Sequence, residues 1–553
     1  MAFKRPQPEE IKTSYKSFQV YDIKEGFFTH NANKFFSLSD NGIVEDWDWM
    51  NKRSMFTHKM KVFESCRTEK WKHTSAVVLY GVTESGNSVA CFCKFPLSFR
   101  VEYHDSVPPY RIVSCVQELT RSKKPIEFTI ESKPRQYGWK SDPLNPRSPK
   151  KYNLLHVKAN TVSRYNEILY AFKEMNKTTR YCVEIHEERR RFPTHLKAII
   201  ETGVNYGSWV SVPAIYTRSR LTSCDYEFVV NVDSITIDDS IVTNAPFAIA
   251  AVDIECDSPS GRFPNAEEPQ DQITMIGAMY RGRNMEKKYL FRQACKHLKE
   301  EPSVKTLTFE ENNVCIEYEE HIVANERCLL YLLHSFILVM DPQILMTFNG
   351  DMFDWKYILL RTSVLNIDPH YFCNLGVLFQ KPWEEVRNND EILSPVVASA
   401  ERNVKVPFCN EGRVGFDIRA FFQGTMAGIA RYRFKKYSLN AVAERLVGSQ
   451  KLDVSAQEMF RIWKEGTDSE LRHFCNYCMI DVVLLFNIID NESTIDQLVA
   501  MASTSHTSIH DTINKGQFMK VRNMTCVKAA NMGLFTNNPF RIPAIEIKVS
   551  FPF

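Results

Sequence analysis

Two acidic residues at the end of an apolar run are the residues best suited to chemistry in this sequence. Phe247 to Val252 is continuously apolar, which is typical of a strand buried on both faces, and Asp253 and Glu255 follow it. Because residues i and i+2 of a strand point to the same side, the two carboxylates are expected to project together. Neighbouring carboxylates repel each other, so the pair favours a hard divalent cation, Mg²⁺ or Mn²⁺. Taken alone, the pair is weak evidence, because in most proteins such a pair is a solvated strand end.

Two further segments carry acidic residues in comparable settings. Asp354 follows a second apolar strand, Gln343 to Phe348, and lies in the first turn of a helix predicted from Phe353 to Leu365. An ordinary N-terminal helix carboxylate, favoured by the helix dipole, is the alternative for Asp354. Further along, Tyr477 and Asp481 are spaced i, i+4, which places them on one face of a predicted helix. An Asp in such an apolar helix needs a partner, because uncompensated burial of a charge is costly.

Together these segments supply four carboxylates and one phenol: Asp253, Glu255, Asp354, Asp481 and Tyr477. Four carboxylates are what two divalent ions, about 3.5–4 Å apart, require for in-line attack of water on a phosphodiester. Tyr477 is suited to orient that water by a hydrogen bond. Asn476 stands where a histidine could act as a general base on that water. The pattern therefore indicates the subclass of such sites in which a tyrosine orients the water.

The surrounding pattern predicts how these residues are positioned. Strands alternate with helices from about residue 247 to 495, including a long apolar helix expected from Tyr318 to Met340, and this indicates an α/β domain. Shorter alternating strands precede it, beginning with a hairpin at Ser75 to Cys93. We therefore divide the chain into an extension (1–75), a β-rich domain (76–246), the α/β domain (247–495) and a final segment (496–553) that begins with a helix expected from Asn514 to Met532.

Composition excludes several classes of protein. The 553 residues are 44% hydrophobic and 24% charged with a net charge of +3, which excludes a mostly disordered chain and predicts no global electrostatic field. No signal-peptide core occurs at the start, and the longest apolar run, Cys328 to Met340, is shorter than a membrane span. The 15 cysteines have no repeating spacing, so a soluble intracellular protein with reduced thiols is expected. The single CxxC, Cys475 to Cys478, is more typical of two helix cysteines than of a zinc site.

Two segments have locally basic surfaces. Residues 121–153 hold nine basic residues against three acidic ones, interleaved with prolines, and predict an extended surface loop. Residues 431–436 alternate cations with aromatic residues, which suits contact with phosphates and stacking on unpaired bases. Solvated loops without nucleic acid are the alternative for both segments.

The order of the acidic motifs resembles a known family. Asp253-Ile-Glu255, then Asn349 to Phe353-Asp354, then Tyr477 to Asp481 is similar to the three exonuclease motifs of family B DNA polymerases. The resemblance extends to the stretches Ser260–Pro264, Asp271–Gly277, Gly412–Asp417 and Tyr437–Ala443, and less specifically to Gly203–Pro213 and Tyr226–Asn231. It implies a ribonuclease-H-like α/β exonuclease domain, with a mixed sheet flanked by helices, after a β-rich α+β N-terminal domain.

The resemblance also implies a function and its site residues. The implied activity is metal-dependent 3′–5′ proofreading of DNA during replication, with two Mg²⁺ or Mn²⁺ ions on Asp253, Glu255, Asp354 and Asp481. Asn349 and Phe353 are candidates for contact with the frayed 3′ end. The basic residues of the 431–436 segment, Arg431, Arg433, Lys435 and Lys436, are candidates for contact with DNA.

One departure from the family pattern concerns polymerisation. Lys515 to Arg522 resembles the helix that follows the exonuclease domain, but the palm motifs with their own Asp pair do not occur. We therefore expect either one half of a split polymerase, acting with a palm-bearing polypeptide, or a truncated product. The expected location is the nucleus or a cytoplasmic replication site. A DNA-binding scaffold with incidental nuclease activity and a free-standing 3′–5′ exonuclease are the alternatives.

Overall fold

The chain folds around three β-sheets in the computed structural model. The structure describes residues 15–29, 73–122, 124–137, 140, 142, 145, 148–179, 181–189, 192–214, 222–311, 314–367, 375–377, 412–424, 431–448 and 454–537.

The first sheet has six strands and forms the core of the N-terminal region. Strands Tyr15–Thr29, His73–Val82 and Ser88–Lys94 lie side by side and are antiparallel, so the predicted hairpin at 75–93 is confirmed. The spatial order is Thr236–Ile237, Trp209–Pro213, Tyr15–Thr29, His73–Val82, Ser88–Lys94 and Tyr226–Asn231. The first of these strands in the chain lies in the 1–75 extension of our division, so the sheet spans that proposed boundary.

A four-stranded antiparallel sheet packs beside it. Its spatial order is Glu127–Pro134, Lys151–Ala159, Leu97–Tyr103 and Glu184–His186. Helices Pro109–Leu119 and Val162–Thr178 cover one face, where Phe99, Leu155 and Val157 are buried with Phe172. The prediction of one extended loop over 121–153 was therefore wrong at both ends, where the chain pairs as strands. Alternation with few apolar residues, as in Glu127–Pro134, gives a weak strand signal.

The third sheet carries the acidic motifs and has seven strands of mixed direction. Its spatial order is Ser303–Glu311, Val314–Val323, Met285–Gln293, Ile273–Gly282, Ile249–Cys256, Ile344–Thr347 and Val414–Asp417. The strand Ile249–Cys256 pairs antiparallel with Ile273–Gly282 and parallel with Ile344–Thr347. This mixed sheet is the predicted α/β architecture.

Helices cover both faces of this sheet. Glu326–Met340 and Asp354–Val364 pack on one face with Ala250, Val252 and Ile254, whereas Asp468–Asn491 packs on the other face with Ala251. The remaining helices are Thr194–Thr202, Ile418–Gly424, Leu439–Val447, Ala456–Glu465, Thr494–Ser505, Ile509–Asn514 and Gln517–Asn531. The six-stranded sheet shares a continuous core with the face that carries Asp468–Asn491.

Two helix predictions were wrong in their extent. Tyr318–Met340 is not one helix, because Val314–Val323 is a sheet strand and only Glu326–Met340 is helical. Asn325 caps that helix by accepting a hydrogen bond from the Cys328 N–H, which marks a helix start inside the apolar run. Similarly, the region predicted as one helix from Asn514 holds the end of Ile509–Asn514 and then Gln517–Asn531.

One helix among the described residues, Asp468–Asn491, is long and apolar enough by composition to cross a membrane. About 72% of its most apolar window is buried inside the protein, as in core helices of water-soluble folds. Its apolar character is therefore explained by its place in the shared core.

Candidate active site

Three parallel strands bring acidic residues to one edge of the seven-stranded sheet. Ile249–Cys256, Ile344–Thr347 and Val414–Asp417 run side by side, with Ala251 paired to Met346 and Thr347 paired to Asp417. Because parallel strands end at the same edge, the segments that follow them meet there.

Asp253 and Glu255 project from the first of these strands, as the sequence predicts. Val252 and Ile254 face the helices Glu326–Met340 and Asp354–Val364, so the alternating carboxylates face the helix Asp468–Asn491. Ligand atoms of Asp253, Glu255 and Cys478 all lie within 4.8 Å of one another. Cys478, which belongs to that helix, is a neighbour that the sequence motifs do not indicate.

Asp354 reaches the site from the opposite face of the sheet. It begins the helix Asp354–Val364, and its Oδ1 accepts a hydrogen bond of 3.2 Å from the Ile254 N–H, the residue between Asp253 and Glu255. Burial, and then the negative charge of Asp253, hold the pKa of Asp354 well above its usual range. A carboxylate in that position favours a compensating cation.

The helix Asp468–Asn491 supplies Tyr477 and Asp481, both buried. Thr467 and Glu470 form a capping box that fixes where this helix begins. The helix lies close to the sheet at Gly277, the strand residue paired with Asp253, where a Cβ atom would lie 3.0 Å from the Cys478 carbonyl oxygen. The missing side chain of Gly277 therefore allows this helix to approach the strand that carries the acidic pair.

The donor set suits a hard divalent metal. Carboxylate oxygens of Asp253 and Glu255 converge, and the carboxylates of both residues and of Asp481 act together to raise the pKa of the Cys478 thiol, after burial itself. A protonated thiol is a poor ligand, so oxygen ligands dominate the site.

A further acidic residue, Asp417, was not among our predicted site residues. Its carboxylate is buried and accepts hydrogen bonds from the backbone N–H groups of Asn349, Asp351 and Ala420, at 2.9, 3.3 and 3.2 Å. The stretch Gly412–Asp417 was noted only as a similarity. The available signal was that Asp417 directly follows a short apolar run, as Asp253 does.

The candidate DNA contacts Asn349 and Phe353 lie in the turn before Asp354. Asn349 has a left-handed backbone (φ 67°), and its side-chain oxygen accepts a hydrogen bond from Arg419. Phe353 is half-buried against Phe263, with ring centroids 5.6 Å apart. Phe263 is 79% exposed, and together with Phe353 it forms an aromatic surface beside the acidic residues. Phe263 was not among the predicted site residues.

The loop that carries Phe263 is anchored by Arg361 of the helix Asp354–Val364. Arg361 is fully buried and donates to the backbone carbonyls of Ala266, Glu268 and Pro269 at 2.7–3.2 Å. Its guanidinium also pairs with Glu326 at 2.6 Å. This buried ion pair fixes the exposed loop to the helices beneath it.

The 431–436 segment differs from the prediction in one respect. The four cations, Arg431, Arg433, Lys435 and Lys436, are exposed, but Tyr432 and Phe434 are buried and stack on each other at 5.7 Å. These rings anchor the segment and cannot stack on bases. Arg431 pairs with Glu492 at 3.2 Å, at the end of the helix Asp468–Asn491, roughly 16 Å along the axis from Asp481.

Comparison with known proteins identifies the domain that holds this site. Residues 190–442 match the family model "DNA polymerase family B, exonuclease domain". The match includes Asp253, Glu255, Asp354 and Asp417, whereas Tyr477 and Asp481 lie beyond it.

Full-length relatives agree with this assignment. The DNA polymerase delta catalytic subunit of Dictyostelium discoideum is 23% identical over 486 residues, and that of Oryza sativa is 24% identical over 488. These matches cover 82% and 83% of this chain but only 40% of each relative, so the chain spans less than half the length of either.

A solved structure is similar in fold. The family B DNA polymerase of Pyrobaculum calidifontis superposes with a TM-score of 0.57 at 14% sequence identity, over 94% of this chain and 51% of the polymerase. The family model and the relatives agree, and the fold is consistent with them: residues 190–442 of this chain match the exonuclease domain of DNA polymerase family B.

Proposed function

We propose that this chain removes nucleotides from the 3′ end of DNA, as the N-terminal and proofreading portion of a family B DNA polymerase acting in replication. The observation that carries this proposal is the convergence of Asp253 and Glu255 with Asp354, which hydrogen-bonds to the residue between them. The helix that carries Tyr477 and Asp481 packs over the same strand face. Divalent metal use follows from the family, and two Mg²⁺ or Mn²⁺ ions are the proposed number.

The proposed reaction is hydrolysis of the last phosphodiester bond. A water oxygen bonds to phosphorus while the bond to the 3′ oxygen of the preceding nucleotide breaks, giving a 5′-mononucleotide and a shortened strand. Asp253, Glu255, Asp354 and Asp481 would hold the metal, which when bound would acidify the attacking water and neutralise charge on the leaving oxygen. Tyr477 holds the water by a hydrogen bond, and Asn349, Phe353 and the exposed Phe263 hold the unpaired end.

The proposed partners are DNA and a palm-bearing polypeptide. The exposed cations of the 431–436 segment are candidates for phosphate contacts. The helix Gln517–Asn531 exposes Phe518, Val521 and Met524 on its surface, an apolar strip that a second polypeptide would cover. An intracellular replication site, the nucleus in a eukaryotic cell, is the proposed location.

The experiment is digestion of a 5′-labelled primer with a mismatched 3′ end on a template, with Mg²⁺. Asp253→Ala combined with Glu255→Ala should abolish digestion, because it removes the acidic pair while relieving repulsion in the metal-free protein. Glu317→Ala combined with Glu319→Ala is the matched control. These two carboxylates are also spaced i, i+2 on the same sheet, on a strand separated from Ile249–Cys256 by two others.

The control variant should digest the primer at the wild-type rate. Undiminished digestion by a folded Asp253→Ala/Glu255→Ala protein would reject the site assignment. DNA binding by the wild type without Mg²⁺-dependent digestion would favour the scaffold alternative.

A further inference from the structure

The turn between the strand Ile344–Thr347 and Asp354 has an unusual shape, although the N–H groups of Met352 and Phe353 donate to the Asn349 carbonyl within it at 3.1 and 3.0 Å. Asn349 adopts a left-handed backbone, which is uncommon outside glycine. At Gly350 a Cβ atom would lie 2.4 Å from the Thr347 hydroxyl, so the turn is folded tightly on the preceding strand. The turn must nevertheless be fixed, because it sets where the Asp354 carboxylate lies.

The Asp417 carboxylate holds this turn from the neighbouring strand. Its Oδ1 accepts from the Asn349 N–H at 2.9 Å and its Oδ2 from the Asp351 N–H at 3.3 Å, so both oxygens bind the same turn. Oδ1 also accepts from the Ala420 N–H, which ties the turn to the helix Ile418–Gly424. Asp417 is only 4% exposed.

Arg419 holds the side chain of the same turn. Its Nη1 donates to Asn349 Oδ1 at 2.9 Å, and its Nε donates to Gln423 at 3.3 Å. Arg419 thereby directs the amide of Asn349 while Asp417 fixes the backbone. Asp354, five residues after Asn349, accepts in turn from the Ile254 N–H between the acidic pair.

Burying the Asp417 carboxylate beside other carboxylates costs free energy, which is hard to explain unless Asp417 has such a role. It brings another negative charge close to Asp354, in a site already rich in carboxylates. A buried carboxylate is tolerated when backbone N–H groups satisfy it, and here two of the three such groups, those of Asn349 and Asp351, belong to the turn.

We propose that Asp417 and Arg419 are positioning residues for the exonuclease site, with separate tasks. Asp417 sets the geometry of the turn and hence the placement of Asp354 among the metal ligands, whereas Arg419 orients Asn349 toward the 3′ end of DNA. This inference rests on the proposed exonuclease function and adds residues that act through Asp354 and Asn349 rather than on the substrate.

The first test uses Asp417→Asn with Asp351→Asn as its charge-matched control. An Asn side chain keeps one acceptor oxygen, but its NH₂ group faces the second N–H of the turn and cannot accept from it, so the two-oxygen grip on the turn backbone is broken. Assayed above pH 7, where the Asp351 carboxyl is ionised, Asp351→Asn removes a nearby charge and leaves these hydrogen bonds in place, because Asp417 binds only the Asp351 backbone. Outer partners of metal ligands typically contribute about 10–100-fold to affinity or activity.

We expect Asp417→Asn to weaken Mn²⁺ binding, measured by calorimetry, and to lower kcat on single-stranded DNA, each by about 10–100-fold. The KM for DNA should stay within about 2-fold, and the wild-type helical circular dichroism should be retained. Asp351→Asn should leave both quantities near wild type. Equal losses in the two variants would mean that charge alone acts, and would overturn the proposal, as would wild-type Mn²⁺ binding and kcat in Asp417→Asn.

The second test separates the task of Arg419 from that of Asp417. It also tests the proposal if Asp417→Asn folds poorly. Arg419→Met should raise the KM for single-stranded DNA with little change in kcat or Mn²⁺ binding, since it frees only the Asn349 side chain. Gln423→Ala, which removes the other partner of Arg419, should behave as wild type. An unchanged KM in Arg419→Met would overturn the task given to Arg419.

These results are distinguishable from a failure of the proposed function itself. If wild-type protein neither digests DNA nor requires Asp253 and Glu255, the exonuclease proposal fails. If the wild type digests DNA through that pair and the Asp417 and Arg419 variants match it, only the positioning inference fails.

Discussion

Tyr477 and Asp481 lie on one buried face of the helix Asp468–Asn491, but their proposed tasks differ. Asp481 is proposed to bind metal, and Tyr477 to orient water. We therefore expect Tyr477→Phe to lose less exonuclease rate than Asp481→Ala, and no more than the roughly 10²–10⁴-fold of a positioned proton-transfer group. Single-turnover digestion of single-stranded DNA with saturating Mg²⁺ measures both losses.

A buried phenol that contacts the same helix from the strand Val314–Val323 provides the control for Tyr477. Tyr318 donates to Asn476, the residue before Tyr477, at 3.3 Å, and it is not among the proposed site residues, so Tyr318→Phe should leave the rate near wild type. Equal losses in Tyr477→Phe and Asp481→Ala would contradict the proposed division of tasks.

Asp351 links the charge of the site to protein stability. Burial, and then the charge of Asp417, raise the pKa of Asp351 to about 7, above the 3.8 expected for an exposed carboxyl. A carboxyl whose pKa is higher in the folded state stabilises the protein at low pH, and this contribution is lost as pH rises through about 7. Between pH 4 and pH 7 the metal-free protein should therefore lose stability that Asp351→Asn does not lose.

The measurement is the difference in melting temperature between wild type and Asp351→Asn, in chelator, across that pH range. The melting temperature of the wild type, relative to that of the variant, should fall as pH rises. A constant difference, or one of opposite sign, would contradict the raised pKa of Asp351.

Single residues were predicted from the sequence where a local rule determines them. Alternation along a strand placed Asp253 and Glu255 on one face, and i, i+4 spacing placed Tyr477 with Asp481. Asp417 was not recognised because its role depends on the pairing of Val414–Asp417 with Ile344–Thr347, two segments some 70 residues apart in the chain. No local pattern contains that pairing.

At the scale of elements, the approach of the helix Asp468–Asn491 to the sheet depends on one glycine. A Cβ atom at Gly277 would lie 3.0 Å from the Cys478 carbonyl oxygen and 3.1 Å from its Sγ. We expect Gly277→Ala to displace the helix and with it Tyr477 and Asp481. A displacement near 1 Å costs about 10²-fold in rate, and overpacking costs about 1–3 kcal/mol of stability.

Exonuclease rate and the free energy of unfolding together measure this effect. Gly516→Ala is the matched control, because nothing lies within 4 Å of a Cβ atom at Gly516. A Gly277→Ala protein as active as wild type would show that the helix and strand do not need this close contact.

Elements were predictable where periodicity and length agreed. The helix near residues 354–364 was predicted to within a few residues, as was the strand of the acidic pair. The run from Tyr318 to Met340 did not, because a buried strand and a buried helix are both continuously apolar. Tyr15–Thr29 was missed because it is stabilised by pairing with distant strands.

At the scale of the whole molecule, the chain corresponds to about 40% of the length of its polymerase delta relatives. Nucleotide transfer by two metals requires a second carboxylate cluster, separate from the exonuclease cluster. Among the described residues, only one other group could hold a metal, Glu102, Glu184 and His186, and Arg135 already binds Glu102 through two nitrogens. That group is an ion-pair network of the four-stranded sheet.

We therefore expect these 553 residues alone not to extend a primer with any dNTP and either Mg²⁺ or Mn²⁺. The late acidic residues give no substitute, since Glu492 binds Arg431 and Tyr432, and Asp496 binds Asn244. Primer extension is measured with the Asp253→Ala/Glu255→Ala variant, so that digestion cannot mask synthesis. Templated extension by this variant would refute the expectation. Extension that requires an added palm-bearing polypeptide would support the split polymerase, and loss of that extension in Phe518→Asp would place the contact on the helix Gln517–Asn531.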